Sequence, residues 1–293
     1  MPLKSKTNTG KIALLTSSLL WGISFVAVQE ALNRGWTPFI LMGFRGLLAS
    51  IALGFIAFRR PFWRNKGLLG YSFIAGIILF IGFIFQTYGQ IFSTVSNASF
   101  ITVQYVVFIP LLMWRRRKIT TSVIFGVGLA MIGTGFLTLS ESFAFHIGDV
   151  LLISCALVFA LHIMVIEKVA KYNDVMAATF IQVFTISVLG FLVSLFTQPV
   201  IPSDGWIYVI YAGIVSSGIA FLFQVYGQKH VDSTLSGIIL SFEALFGALG
   251  AIFILHEPFT QNTLIGGFLM MSAVFMVELG PKLGVRLKRG NYD

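Results

Sequence analysis

The sequence predicts an all-α polytopic membrane protein, with ten transmembrane helices arranged as two inverted five-helix repeats. Three observations predict it. Hydrophobic residues make up 57% of the 293 and charged residues only 11%, with a mean hydropathy of +0.90. Apolar runs of about 20 residues, the length a helix needs to cross a bilayer's hydrocarbon core, recur along the whole chain. One stretch is written twice: residues 85–90 read FQTYGQ and residues 223–228 read FQVYGQ, 138 positions further on.

The spans are expected at roughly residues 11–33, 37–58, 67–89, 94–114, 119–140, 147–168, 175–197, 205–227, 234–255 and 262–280. Short breaks of turn and charged residues separate them, at 33–35, 59–66, 115–118, 198–204 and 256–261. The first run is too long for a signal peptide's core and lacks a small-residue cleavage site, so it is expected to be retained. Pro110 lies within the fourth span and is expected to kink it, because proline removes a backbone donor. The 29 glycines mark close helix contacts.

Charge orients the chain. Lys4, Lys6, Lys11, Arg59, Arg60, Arg64, Lys66, Arg115–Lys118, Lys168, Lys171, Lys229 and the basic residues of the C-terminal tail all fall on one side of such a topology. Arg34 alone falls opposite, and Arg45 within a span. By the positive-inside rule both termini are cytoplasmic, in a multi-pass cytoplasmic (inner) membrane protein. The net charge of +9 is thus accounted for by topology and headgroup contact, and no nucleic acid is expected as partner. Five spans per repeat is an odd number, so the second copy (141–293) enters the membrane upside down relative to the first (1–140). Inverted repeats of this kind build carriers with a midplane site where the halves meet.

Polar groups inside the spans are the candidate site, since each must be packing glue or part of a pathway. Glu243 stands near the middle of the ninth span, where it either faces a cavity or sits protonated in helix packing. Extending the repeat with one extra residue lays Gln104 on Glu243; Gln86 pairs with Gln224, Arg45 with Gln182 and Phe25 with His162. A neutral imidazole both donates and accepts, so His162 suits a cavity, against the plainer role of an interhelical hydrogen bond. Arg45 could meet a substrate carboxylate, but snorkelling to the surface or an ion pair with Glu30 or Glu243 ranks ahead. Trp21 and Phe25, four residues apart, share a face of the first helix and could form an apolar wall, against plain lipid contact. The single cysteine, Cys155, excludes an internal disulfide, and neither metal nor cofactor is expected.

Several of these stretches resemble a known family. Residues 20–25 (LWGISF), 96–102 (SNASFIT) leading to 108–111 (FIPL), and 240–243 (LSFE) followed by 256–258 (HEP) are similar to the EamA-type members of the drug/metabolite transporter superfamily. The resemblance implies a ten-helix inverted-repeat carrier for amino acids or other small metabolites, with export the commoner direction. Where many relatives carry an acidic residue after the fourth helix, this chain reads Arg-Arg-Arg-Lys, which argues against symmetric acidic gates. The expected function is a secondary carrier, not an enzyme. Its partners are a small-molecule solute, membrane lipid and, if coupled, protons; either a monomer or a homodimer fits. A channel-like facilitator and a scaffold or sensor without flux are the alternatives. A lipid-modifying enzyme is a poorer one, since the chain has no HExxH and no clustered acids and bases.

Overall fold

A computed structural model of the chain describes residues 2–59, 61–114, 121–138, 146–197 and 200–289. The basic loop at 115–118 and the expected junction of the halves at 140/141 lie outside the described residues. The described elements are all helical. They are α1 (Pro2–Asn33), α2 (Pro38–Ala57), α3 (Lys66–Ile91), α4 (Val95–Thr102), α5 (Tyr105–Leu112), α6 (Thr121–Thr138), α7 (Ile147–Val169) and α8 (Val175–Ser194). Then come α9 (Trp206–Ile210), a π-helix (Tyr211–Ala220), α10 (Phe221–Gln228), α11 (Ser233–Ile254) and α12 (Gln261–Arg289). Among the described residues, eight stretches are long and apolar enough to cross a membrane. The expected fifth and tenth spans hold shorter apolar helices, Ile124–Gly133 and Gln261–Met276, which belong to elements packed against each other.

Local signals set the helix starts. Pro38 opens α2 at its first turn, where a missing N–H costs nothing. Side chains cap the exposed donors of α3 (Asn65), α4 (Thr94), α8 (Asp174) and α11 (Asp232). The α1–α2 turn needs Gly35 at φ +88°, a left-handed conformation that costs other residues energy. The fourth span is interrupted at Val103–Gln104 and not at Pro110, which sits inside α5. There Gln104 N–H reaches back only three residues to Ile101 O (3.1 Å), and Val106 N–H to Val103 O (3.1 Å).

Contacts within the first half of the chain recur in the second, and contacts between the halves come in reciprocal pairs. Gln90 Nε2 donates to Phe25 O (2.7 Å), and Gln228 Nε2, 138 positions later, donates to Ile163 O (3.0 Å), also 138 later. Gly89 packs on Leu152 and Gly148, while Gly227 packs on Leu14 and Gly10. Gly76 lies on Thr185 and Gln182, and Gly213 on Leu48 and Arg45, at an offset of 137. The cap of Thr94 on Asn97 N–H recurs as Asp232 on Leu235 N–H. These pairs revise two sequence alignments. Phe25 corresponds to Ile163, the neighbour of His162, and at a constant 138 Glu243 corresponds to Tyr105, the neighbour of Gln104.

The change of offset has a location. Gly76 and Gly213 are 137 apart, and residues 85 and 223 are 138 apart, so the second copy holds one extra residue between them. That interval lies largely within the π-helix Tyr211–Ala220, whose wider turns absorb an added residue without shifting the flanking helices. Helices α2 and α8 approach closely through Gly43, Gly46 and Gly190, and Ser187 Oγ donates to Gly43 O (3.0 Å). At Gly190 a Cβ would stand 2.5 Å from Gly43 N, and at Gly70 it would meet nothing within 4 Å. Gly190→Ala should therefore destabilise the purified protein by about 1–3 kcal/mol, as overpacking does elsewhere. Gly70→Ala should leave the melting temperature unchanged or slightly raised; equal effects in a thermal melt would contradict this packing.

Candidate functional site

Helices α1, α2, α3, α5, α7, the π-helix, α10 and α11 surround one internal cavity. Seven of the nine sequence-chosen residues line it: Trp21, Phe25, Arg45, Gln86, His162, Gln224 and Glu243. Gln182 stands one layer behind, and Gln104 is buried beside the α4–α5 break without reaching the cavity. The space between the lining atoms, open solvent included, is about 520 Å³. Only about 50 Å³ of it is wide enough for the centre of a water-sized sphere, which is room for a few waters.

Arg45 projects from α2 and is 2% exposed. Its Nε donates to Ser217 Oγ (2.8 Å) and its Nη2 to Ser216 Oγ (3.3 Å), and its guanidinium lies 4.0 Å from the Phe83 ring centroid. This overturns the expectation of snorkelling or an ion pair. Among the described residues the salt bridges are those of Arg34 with Glu30 and Asp204, at one end of the helices. Burial inside a helix bundle, on a hydroxyl pair and an aromatic face, holds Arg45 away from either surface.

The π-helix supplies those serines and is tied to α1. Trp21 Nε1 donates to Ser216 O (3.1 Å), Ser17 Oγ to Ala220 O (2.8 Å), and Tyr211 Oη to Leu20 O (3.1 Å). Backbone acceptors displaced by the wide turns thus find partners on the neighbouring helix. Trp21 also packs on Phe221 with ring centroids 4.7 Å apart, and Phe221 touches His162 and Phe83. The result is an aromatic wall made by Trp21, Phe83, Phe159 and Phe221.

His162 Nε2 meets Gln182 Oε1 at 2.9 Å, and Gln182 Nε2 donates to Ala178 O (3.0 Å). The second bond fixes the amide's orientation, so Oε1 is the acceptor and a neutral His162 carries its proton on Nε2. Its Nδ1 is left as an acceptor. Both readings of His162 therefore apply at once: its Nε2 makes an interhelical hydrogen bond, and the residue lines the cavity. Glu243 is 4% exposed, and Tyr105 and Cys155 are its electrostatic neighbours, although the Tyr105 hydroxyl makes no hydrogen bond of normal geometry. Among the described residues no group of three or more His, Cys, Asp or Glu side chains gathers as a metal site would require.

Sequence reasoning passed over Gln90, Tyr105 and Ser216. Gln90 was legible as the last letter of the repeated FQTYGQ; Tyr105 needed the unbroken offset. Ser216 carried no signal of its own. Outside the cavity, the Glu257 carboxylate accepts from Val95 N (2.7 Å), Ser96 N (3.1 Å) and Ser96 Oγ (2.7 Å), an anion seated on the N-terminus of α4.

The model of the EamA-like transporter family matches residues 8–139 and again residues 146–279. The chain belongs to this family. An uncharacterized transporter of Archaeoglobus fulgidus is 32% identical over 272 residues, covering 92% of this chain and 85% of the relative. A protein named biotin transporter in Escherichia coli K12 is 23% identical, covering 90% of this chain and 91% of its own length. A solved crystal structure, 19% identical, superposes with a TM-score of 0.71 over 96% of this chain and 99% of that one, which shows a shared fold. The EamA-like chain is a multi-pass membrane protein.

The His162–Gln182 bond can be tested alone. Gln182→Leu should lower stability by about 1–2 kcal/mol by stranding the imidazole N–H. In His162→Leu/Gln182→Leu the cost should be less than the sum of the two single changes, measured by thermal melts; strict additivity would contradict the bond.

Proposed function

We propose that this EamA-like protein is a secondary transporter of a small polar metabolite, an amino acid or related compound. It works by alternating access of two inverted five-helix halves, residues 1–140 and 141–293. The observation that carries this reading is the cavity between the helices, polar on some sides and aromatic on others, built from helices of both halves. Four features support the symmetry. The glycine contacts are reciprocal: residue i of the first half meets j of the second while the counterpart of i meets the counterpart of j, as a twofold axis requires. The family model matches twice, with starts 138 residues apart. An odd number of spans in each half turns that twofold into an inversion. The distribution of Lys and Arg matches it, with both termini cytoplasmic in an inner membrane.

In this mechanism Trp21 and Phe25 form part of the apolar wall. Gln86, Gln224 and His162 orient the ligand, and Glu243 receives a cationic group or exchanges a proton. Gln182 acts by holding His162, and Gln104 by its place at the α4–α5 break, where the interrupted span can flex. The narrowness of the cavity favours a carrier over a pore, since a solute must be admitted by movement of the surrounding helices. Family resemblance favours export.

Counterflow in proteoliposomes tests the reading. Protein loaded with an unlabelled amino acid should accelerate entry of the labelled one, and a scaffold would show no exchange. Glu243→Gln should cut the rate at least roughly tenfold, the effect of losing one charge-assisted contact, and flatten its pH dependence. An unchanged rate and pH profile would remove Glu243 from the mechanism.

A further inference from the structure

The cavity holds a permanent cation, Arg45, that forms no salt bridge among the described residues, Glu243 of the same cavity included. We infer that a carboxylate of the transported solute is the missing partner of Arg45, so that the substrate is an organic acid with an apolar or aromatic body. This rests on the transporter reading and specifies its substrate class.

A guanidinium carries five N–H donors in a fixed fork. Ser217 takes the Nε hydrogen and Ser216 one of those on Nη2, both along the side-on edge. The end-on edge, with one N–H from each terminal nitrogen, has no hydrogen-bond partner among the described residues. That edge matches the two oxygens of a carboxylate, which Arg binds in parallel bonds and Lys cannot. Leaving such a group buried and unpaired is costly in a membrane interior, and a cost of that kind persists where the group serves a ligand.

The surroundings fix the cation for this task. Phe83 covers one face of the guanidinium. The two serines come from the π-helix, at the place where the second half of the chain carries one residue more than the first. The first half carries Leu79 and Phe80 in the corresponding part of α3, so it has no such pair of hydroxyls. The counterpart of Arg45 itself is Gln182, which is spent on His162. The anion site is therefore one-sided in an otherwise duplicated scaffold. Against the same cavity stand Trp21, Phe159 and Phe221, wide apolar surfaces suited to the body of the acid. An α-amino acid and a simple carboxylic acid share this chemistry, and they differ in whether an ammonium reaches Glu243.

The test is a binding series on the purified full-length protein by thermal shift and calorimetry. The probes are matched acid and amide pairs: phenylalanine with phenylalaninamide, phenylacetate with phenylacetamide, and indole-3-acetate with its amide, with phenethylamine as a cation lacking the carboxylate. At least one acid should bind, and its amide should bind at least roughly tenfold more weakly, as loss of a charge-assisted pair requires. Arg45→Gln should abolish the preference for acid over amide. If that variant does not fold, Ser217→Ala, which frees the Nε edge, should reduce the preference. An amide or phenethylamine binding as well as the acid, no acid binding at all, or a preference that survives in both variants would overturn the assignment. Phenylalanine binding more tightly than phenylacetate assigns the ammonium to Glu243, and the reverse assigns a simple acid; either supports the carboxylate. An acid that binds with the predicted preference but shows no counterflow in proteoliposomes would leave the anion site standing and remove the transport reading beneath it.

Discussion

Hydrocarbon cannot solvate a polar side chain, and this constraint organises the interior of the molecule. A buried hydroxyl, amide or charge must be met by a helix neighbour or must face a cavity. Most of the interior obeys the first alternative. Gln90 and Gln228 donate to backbone carbonyls of another helix in their own half, Ser99 Oγ reaches Ala244 O across α4 and α11, and Ser187 meets α2. Arg45, Glu243 and His162 obey the second. They are the groups that bring charge or a titratable ring into the core, and all three converge on one chamber.

The close helix contacts serve the same end from the opposite direction. Gly22 lies so near Phe246 that a Cβ there would be 2.4 Å from that side chain, and a Cβ at Gly247 or Gly250 of α11 would stand 2.7 Å from Ser99 or 2.9 Å from Val26. Dense packing between α1, α4 and α11 leaves the cavity as the gap that the small residues do not close. Its aromatic wall and its polar residues are thus consequences of where close packing stops. The π-helix is the main irregularity in this scheme. It costs regular hydrogen bonds, and α1 repairs them with Ser17 and Trp21, while its serines turn toward Arg45.

Much of this was legible in the chain. The apolar runs place the helices because length and hydropathy are set by the bilayer, and the FQTYGQ/FQVYGQ pair exposes the duplication. Polar residues stranded within apolar runs led to five side chains that share the cavity, and the aromatic pair Trp21 and Phe25 added two more. The failures were of register. One residue of misalignment exchanged Tyr105 for Gln104 and His162 for Ile163 as repeat partners, and on a helix one residue is a rotation of about 100°. The fate of Arg45 was also hidden. Its length permits snorkelling, and its burial depends on Ser216 and Ser217, whose presentation follows from a one-residue surplus that lengthens no loop and breaks no apolar run. The interruption at Val103–Gln104 was expected at Pro110, because proline marks a strained segment without marking the turn that yields.

The central claim is that the two halves enter the membrane in opposite senses around the shared chamber. Trp63 and Ile201 lie in corresponding loops of the two copies, and they are 51% and 53% exposed. Single cysteines placed at each, on a Cys155→Ser background in right-side-out vesicles, can be challenged with a membrane-impermeant maleimide. The account predicts that Ile201→Cys is labelled at once and that Trp63→Cys is labelled only after the vesicles are opened. Labelling of both from the same side would contradict it.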